Sequence, residues 1–282
     1  MNGHFVRKNA VYGVIALLFV FLNLKNRFKD DKKQKNSEIN TEVYNMINFT
    51  SDDLVILYED NHVIVVYKPQ NVPCCEDQTK DPDLLSAIRE YIKKKYDKQG
   101  NVYVGLVHRL DRVTGGVMVF AKSSKGAARL TEQMANGDFE KKYLAVLTAE
   151  PREDRAVLTH YLKKNPVNNM VYACPPTVDG AKFCQLDYEV LEKQKGLTLV
   201  KVRLHTGRTH QIRVQMAAIG CPLYGDMRYG GENAKKGNIA LWATSLAFSH
   251  PVSKERMVFK IEPPVDESVW KLFDIASKME NF

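Results

Sequence analysis

The sequence predicts an α+β fold built on a mixed, largely antiparallel β-sheet, and three observations carry that reading. Short runs of strand character recur from about residue 54 to residue 261. Only a few segments with helical spacing interrupt them. No internal repeat, P-loop or Gly-x-Gly-x-x-Gly run points to another architecture.

Taken in order, residues 54–58 and 63–67 are apolar or alternating on either side of Glu59-Asp60-Asn61-His62 and read as two strands joined by a turn. Asp81-Pro82 offers a helix cap and a first-turn proline. Leu84, Leu85, Ile88, Tyr91 and Ile92 then recur at helical spacing, and Lys93-Lys94-Lys95 suits the negative end of that helix's dipole. Residues 117–121 form a continuous apolar strand. Ser123 or Ser124 can cap a helix over 125–136 that Gly137 stops. Further strands are expected at 143–148, 156–162, 181–191 and 197–204. Thr209 is placed to cap a helix over 210–219, with Gly220 as its stop. Late strands are expected at 239–249 and 257–261. Pro263-Pro264 breaks the pattern, and 267–279 reads as a closing helix.

The 282 residues, 44% hydrophobic and 26% charged, suffice for a large packed domain. The net charge is +8, but it is unevenly spread. Residues 1–45 hold eight Lys/Arg against four Asp/Glu, half of the excess. The body is therefore only mildly basic, and any nucleic-acid surface must come from local clustering. Clusters such as Lys93–Lys95 and Lys235-Lys236 read first as solvated faces. Five cysteines, an odd number without a Cys-x-x-Cys pair, argue against a disulfide framework or a zinc site and fit a reducing cytosol.

Residues 1–45 read as an apolar and basic extension, and 46–282 as the folded unit. Residues 11–24 are an apolar run of 14, short of the roughly 20 that span a membrane. The run fits a short anchor making membrane contact, a signal-peptide core without a small-x-small cleavage site, an extension outside the folded unit, or sequence upstream of a true start at Met46. The last two fit best, because residues 25–45 resemble a charged linker.

The chemistry concentrates in Val107-His108-Arg109-Leu110-Asp111-Arg112-Val113-Thr114-Gly115-Gly116 and in His205-Thr206-Gly207-Arg208-Thr209-His210-Gln211-Ile212-Arg213. The first segment sets one carboxylate between two arginines before an apolar strand. Asp111 must be solvated, paired or used, since a bare buried carboxylate is too costly. A turn aspartate that accepts backbone N–H bonds is the plain alternative. If the fold joins the two basic segments, the result is a lone carboxylate in a cationic pocket suited to a polyanion. Arg109 is either a surface cation or a contact to phosphate of such a polyanion. Arg208 and Arg213 read as phosphate contacts or solvated cations. Tyr143 sits in a strand pattern and would ordinarily pack. His108, His205 and His210 lack a metal-ligand spacing and read as structural or as contacts to that polyanion.

His108 to Gly116 resembles the His-Arg-Leu-Asp-x-x-Thr-Ser-Gly signature of the RluA-type RNA pseudouridine synthases. Lys142-Tyr143-Leu144-Ala145 is similar to their second motif, and Thr206 to Arg213 to their Thr-Gly-Arg-Thr-His-Gln-Ile-Arg segment. Gly220 to Gly230 and the opening from Ile56 to Lys68-Pro69 continue the likeness, which covers about residues 54–262. One departure is that the family's Thr-Ser-Gly reads Thr114-Gly115-Gly116, which removes a hydroxyl near the proposed catalytic turn. The resemblance implies a bent mixed sheet with flanking helices around a central cleft, and isomerisation of uridine to pseudouridine within RNA. It implies Asp111 as nucleophile or base, Arg213 as its partner, and Tyr143 stacked on the target uracil. Arg109, His108, Arg208, His210 and Thr114 are then expected to contact RNA. The reaction neither oxidises nor hydrolyses, so no cofactor and no metal is expected. The partner is RNA, ribosomal or transfer, and the protein is expected to be a cytoplasmic monomer. An idle RNA-binding module using the same pocket is the alternative. A carboxylate glycosidase would need a second acid, which the Asp111 motif does not supply.

Overall fold

A computed structural model describes residues 49–231, 234, 237–265, 269–280 and 282. The 1–45 extension, its apolar run at 11–24, the proposed start at Met46 and the pair Lys235-Lys236 lie outside the described residues. Among the described residues, no helix is long and apolar enough to cross a membrane.

The chain opens with a hairpin of β1 (Val55–Glu59) and β2 (Val63–Lys68). Its turn is fixed by Asp60, whose carboxylate accepts the N–H groups of His62 at 2.7 Å and Val63 at 2.8 Å. Helix α1 (Leu84–Lys95) follows, then the short β3 (Gly105–Leu106), β4 (Gly115–Ala121), α2 (Ser124–Asn136) and β5 (Glu140–Leu147). Next come β6 (Arg155–Lys164), β7 (Val171–Cys174), β8 (Lys182–Gln194), β9 (Leu197–Leu204) and α3 (Gln211–Ala218). The chain closes with β10 (Leu241–Ser249), β11 (Arg256–Lys260) and α4 (Ile275–Glu280).

The strands form one sheet in the order β1-β2-β4-β10-β5-β9-β8-β6-β7, with β3 on β4 and β11 on β10. β2 and β4 are apolar at nearly every position because both their faces are covered. Ile64, Val66, Met118 and Phe120 pack with Leu84, Ile88 and Ile92 of α1. Val63, Val65, Val117 and Val119 pack with Leu130 of α2 on the other side. A third cluster joins Leu144, Val146, Leu199 and Trp242 to Trp270, Phe273, Ile275 and Met279 at the C-terminus.

One pairing is parallel, and it organises the site. β4 meets β10 only at Gly115 opposite Trp242 and Gly116 opposite Ala243. Beyond that seam the two strands part, β4 running beside β3 and β10 beside β11. The β3–β4 loop that carries Asp111 enters the sheet at this parting. All other pairings are antiparallel, so the mixed, largely antiparallel sheet is as the sequence predicts.

Several local expectations change. Asp83, not Asp81-Pro82, caps α1, its carboxylate accepting the N–H of Ser86 at 3.0 Å. Asp81 instead pairs with Arg112. Thr209 does not cap α3. His210 occupies the cap position with φ 53° and makes no side-chain cap bond. The cause is Gln211, whose amide oxygen takes the Thr206 hydroxyl at 2.8 Å and the Arg208 N–H at 3.0 Å, tightening the loop before the helix begins. The closing helix is divided into a 3-10 turn, Val269–Leu272, and α4. Asp274 starts a new helix there by accepting the Ser277 N–H at 3.2 Å. β7 and β3 were not foreseen. By contrast, Ser123 caps α2 and Gly137 ends it at φ 82° in the left-handed region, as expected.

Candidate active site

The loop bearing Asp111 is held through its backbone. The five consecutive carbonyls from Leu110 to Thr114 all have donors. The Cys74 thiol reaches Leu110 O at 3.1 Å, and Thr114 N–H closes the turn onto Asp111 O at 2.9 Å. Asn71 N–H donates to Arg112 O at 2.8 Å, and the Gln70 amide donates to Val113 O at 2.9 Å. Lys68 supplies the rest. Its ammonium, fully buried, donates to Arg112 O at 3.0 Å, Thr114 O at 2.7 Å and Pro69 O at 2.9 Å. Burial pushes its pKa down to about 8, opposed by the nearby Cys74 and Asp111. A lysine ending an otherwise apolar strand before proline was the sequence signal for this residue, and it was read only as part of the domain's opening.

The carboxylate itself is held by charge. Asp111 Oδ2 accepts from Arg213 at 3.2 Å, while its side chain keeps 22% of its surface exposed to the cleft. The other edge of the Arg213 guanidinium is taken by Asp226, with Nε and Nη2 each 2.8 Å from a carboxylate oxygen. Asp226 is fully buried and also accepts the N–H groups of Arg228 and Tyr229 at 3.1 Å. Arg213 therefore lies in α3 with both edges committed, a bidentate fork to one acid and a single bond to the other. The ring of Tyr229 lies 5.0 Å from the guanidinium carbon. His210 Nε2 faces Asp111 Oδ1 at 4.0 Å. Neither Asp226 nor Tyr229 was singled out from sequence, although both fall in the Gly220–Gly230 stretch.

All eight residues singled out from sequence line a single cleft of about 1150 Å³: Asp111, Tyr143, Arg213, Arg109, His108, Arg208, His210 and Thr114. Tyr143, in β5, is buried, and burial together with the Asp111 charge raises its hydroxyl pKa, so it stays a neutral phenol. Arg109 is exposed at the rim, without a hydrogen-bond or ion-pair partner among the described residues. Arg208 donates to Phe183 O at 2.9 Å. His108 belongs to the wall: its Nε2 accepts the Val119 N–H at 3.1 Å, and burial, with the Lys141 charge, pushes its pKa down to about 3. The Thr114 hydroxyl is buried and has no hydrogen-bond partner among the described residues. Arg112, the second arginine flanking Asp111, turns away to Asn71 O, Thr79 and Asp81. Lys141, Lys164, Asn169 and Arg228 also line the cleft and were not foreseen.

The departure at Gly115 has a steric cause. A Cβ at 115 would lie 2.3 Å from the Trp242 ring, so the indole occupies the space a serine side chain would need. At Gly116 the backbone takes φ +129°, and a Cβ would lie 2.2 Å from Ala243 O. The parallel seam beside Asp111 thus depends on two glycines.

Comparison with known proteins follows the same lines. A family profile, "RNA pseudouridylate synthase", matches residues 62–218, more than half of the chain. The chain is 35% identical over 216 residues to a Bacillus subtilis protein named "Uncharacterized RNA pseudouridine synthase YjbO", covering 76% of this chain and 74% of that one. It is 32% identical over 241 residues to "Ribosomal large subunit pseudouridine synthase D" of Zymomonas mobilis, covering 80% and 74%. In structure it resembles "Human RNA Pseudouridylate Synthase Domain Containing 4", with a TM-score of 0.62, 21% identity, and coverage of 74% of this chain and 88% of that one.

Proposed function

We propose, for a chain that belongs to the RNA pseudouridylate synthase family and isomerises uridine within RNA, that Asp111 is the reacting carboxylate. The observation that carries this reading is the Asp111 side chain itself, held at one oxygen by Arg213 at 3.2 Å and open to the cleft that Tyr143 lines. Arg213 pairs with it, and a carboxylate held in this way is suited to attack on C1′ or to taking a proton from the ribose. In either route the bond from C1′ to N1 breaks, the uracil turns, and C5 bonds to C1′. C5 gives up a proton and N1 gains one, so the sum needs no oxidant, hydride or phosphoryl donor. Tyr143 stacks on the uracil as a neutral ring, and Arg213 balances the anion. Arg109, at the rim, contacts backbone phosphate or fills the place of the extruded nucleotide. Arg208, His210, His108 and Thr114 shape the RNA-facing wall.

Ribosomal RNA is the favoured substrate and transfer RNA the alternative; the relatives named for the ribosomal large subunit support the former. The protein acts as a cytoplasmic monomer, and residues 46–282 are its catalytic unit. A chain begun at Met46 that lost turnover would overturn that boundary. Pseudouridine mapping of total RNA from a deletion strain, complemented with wild type or with Asp111→Asn, tests the reading as a whole. Specific positions should revert to uridine on deletion and be restored by wild type only. Restoration by Asp111→Asn would overturn the assignment of Asp111, and an unchanged map would overturn the substrate.

A further inference from the structure

We propose that Tyr229 is a positioning residue for the reaction, setting the tautomer of His210 and thereby the dipole that faces Asp111. The inference rests on Asp111 being the reacting group.

The Tyr229 hydroxyl makes two contacts. It accepts the backbone N–H of Val171, at the start of β7, at 3.1 Å, and it lies 2.6 Å from His210 Nδ1. A phenol carries a single hydrogen. The Val171 N–H occupies one lone pair, and the arrangement that also gives the phenolic hydrogen a partner directs it at Nδ1, which is then the unprotonated nitrogen. The proton of neutral His210 consequently sits on Nε2, the atom that faces Asp111 Oδ1 at 4.0 Å. The groups around His210 are Asp111, Arg213, Arg228, Asp226 and Tyr229. Burial outweighs the two acids and keeps the ring below the usual imidazole range, so it is neutral at neutral pH. An Nε2–H pointed at a carboxylate is favourable, whereas a lone pair pointed there is not. Tyr229 thus decides which of the two Asp111 meets.

The same ring serves the opposite side. It lies 5.0 Å from Arg213, whose Nη1 holds Asp111 Oδ2. The backbone of Tyr229 also donates to Asp226, the second acid on Arg213. One residue therefore touches both groups that flank the carboxylate without touching the carboxylate, and its contact to Val171 ties them to the edge of the sheet.

Two readouts on the full-length chain test this. Nitrogen-15 spectra of the histidine rings, with the His210 signal assigned by its loss in His210→Ala, should show the Nε2–H form in wild type and a changed tautomer balance in Tyr229→Phe. Single-turnover rates on an RNA substrate should fall roughly tenfold in Tyr229→Phe, the scale on which outer partners act on a site, with RNA affinity unchanged. The loss should not add to that of His210→Ala in the double variant. A wild-type Nδ1–H form, a wild-type rate in Tyr229→Phe, or additive losses would each overturn the proposal. Should Tyr229→Phe fail to fold, the wild-type spectrum decides alone. The tautomer does not depend on Asp111 being catalytic, so a failure of that assignment would show separately, as turnover in Asp111→Asn.

Discussion

Asp111 is gripped from two sides by regions of opposite character. On one side, Lys68, Gln70, Asn71 and Cys74 hold the loop backbone through its carbonyls, and none of them pairs with the Asp111 side chain. On the other, Arg213, Asp226, His210 and Tyr229 address the carboxylate through charge and ring contacts, and leave the loop backbone alone. The first region fixes where the carboxylate is, and the second supplies its counterion and sets which oxygen is free. The position of the loop is thus set apart from the ion pair, which holds Asp111 Oδ2 to Arg213 at 3.2 Å.

The charged side should give the larger effects. Arg213→Ala strands the fully buried Asp226 and removes the partner of Asp111. Loss of one member of a buried pair costs about 3–5 kcal/mol, and single-turnover rates should fall by about 10²-fold or more. Arg208→Ala, which removes an exposed cation bonded to a carbonyl, should cost less than tenfold and act mainly on RNA affinity. A reversed order in rates measured side by side would show that the counterion is misassigned.

At the seam, Gly115→Ser should destabilise by about 1–3 kcal/mol through overpacking against Trp242. Combined with Trp242→Leu, it should lose less than the sum of the two single changes, because the serine enters space the indole vacates. Urea melts of the four proteins check this. Strict additivity would mean that the backbone, not the indole, limits position 115.

The backbone side is the subtler one, and its signature is pH. Lys68 has a folded pKa of about 8, below the unfolded lysine value. The unfolded chain therefore binds more protons between about pH 8 and 10.5, and this group's contribution to stability must rise with pH across that window. The difference in unfolding free energy between wild type and Lys68→Met should grow from pH 8 to pH 10. A shrinking difference would show that the three carbonyls stabilise the ammonium more than burial penalises it.

These regions also differ in how legible they were. Asp111, Tyr143 and Arg213 lie in local motifs whose residue types state their chemistry, and all three meet in the cleft. Residues 197–204 read as a strand to the residue, because apolar alternation is a local signal. What stayed hidden depends on partners distant in sequence. Asp226 and Tyr229 acquire meaning only when α3 turns Arg213 and His210 toward them. Lys68 looks like a strand end until its ammonium is seen to reach three carbonyls, two of them more than 40 residues away. Gly115 reads as a lost hydroxyl until Trp242 is placed beside it. The late start of α3 came from a side-chain bond by Gln211, which competes with Thr209 in a way periodicity does not register.

The central claim is that one carboxylate, held by these two regions, performs the isomerisation. The most direct test is the single-turnover rate of Asp111→Asn on an RNA substrate together with its RNA affinity, with reversion to aspartate excluded by mass spectrometry. The amide keeps the shape of the side chain and loses its charge. The account predicts RNA affinity within a few-fold of wild type and no detectable pseudouridine. Turnover near the wild-type rate would contradict it.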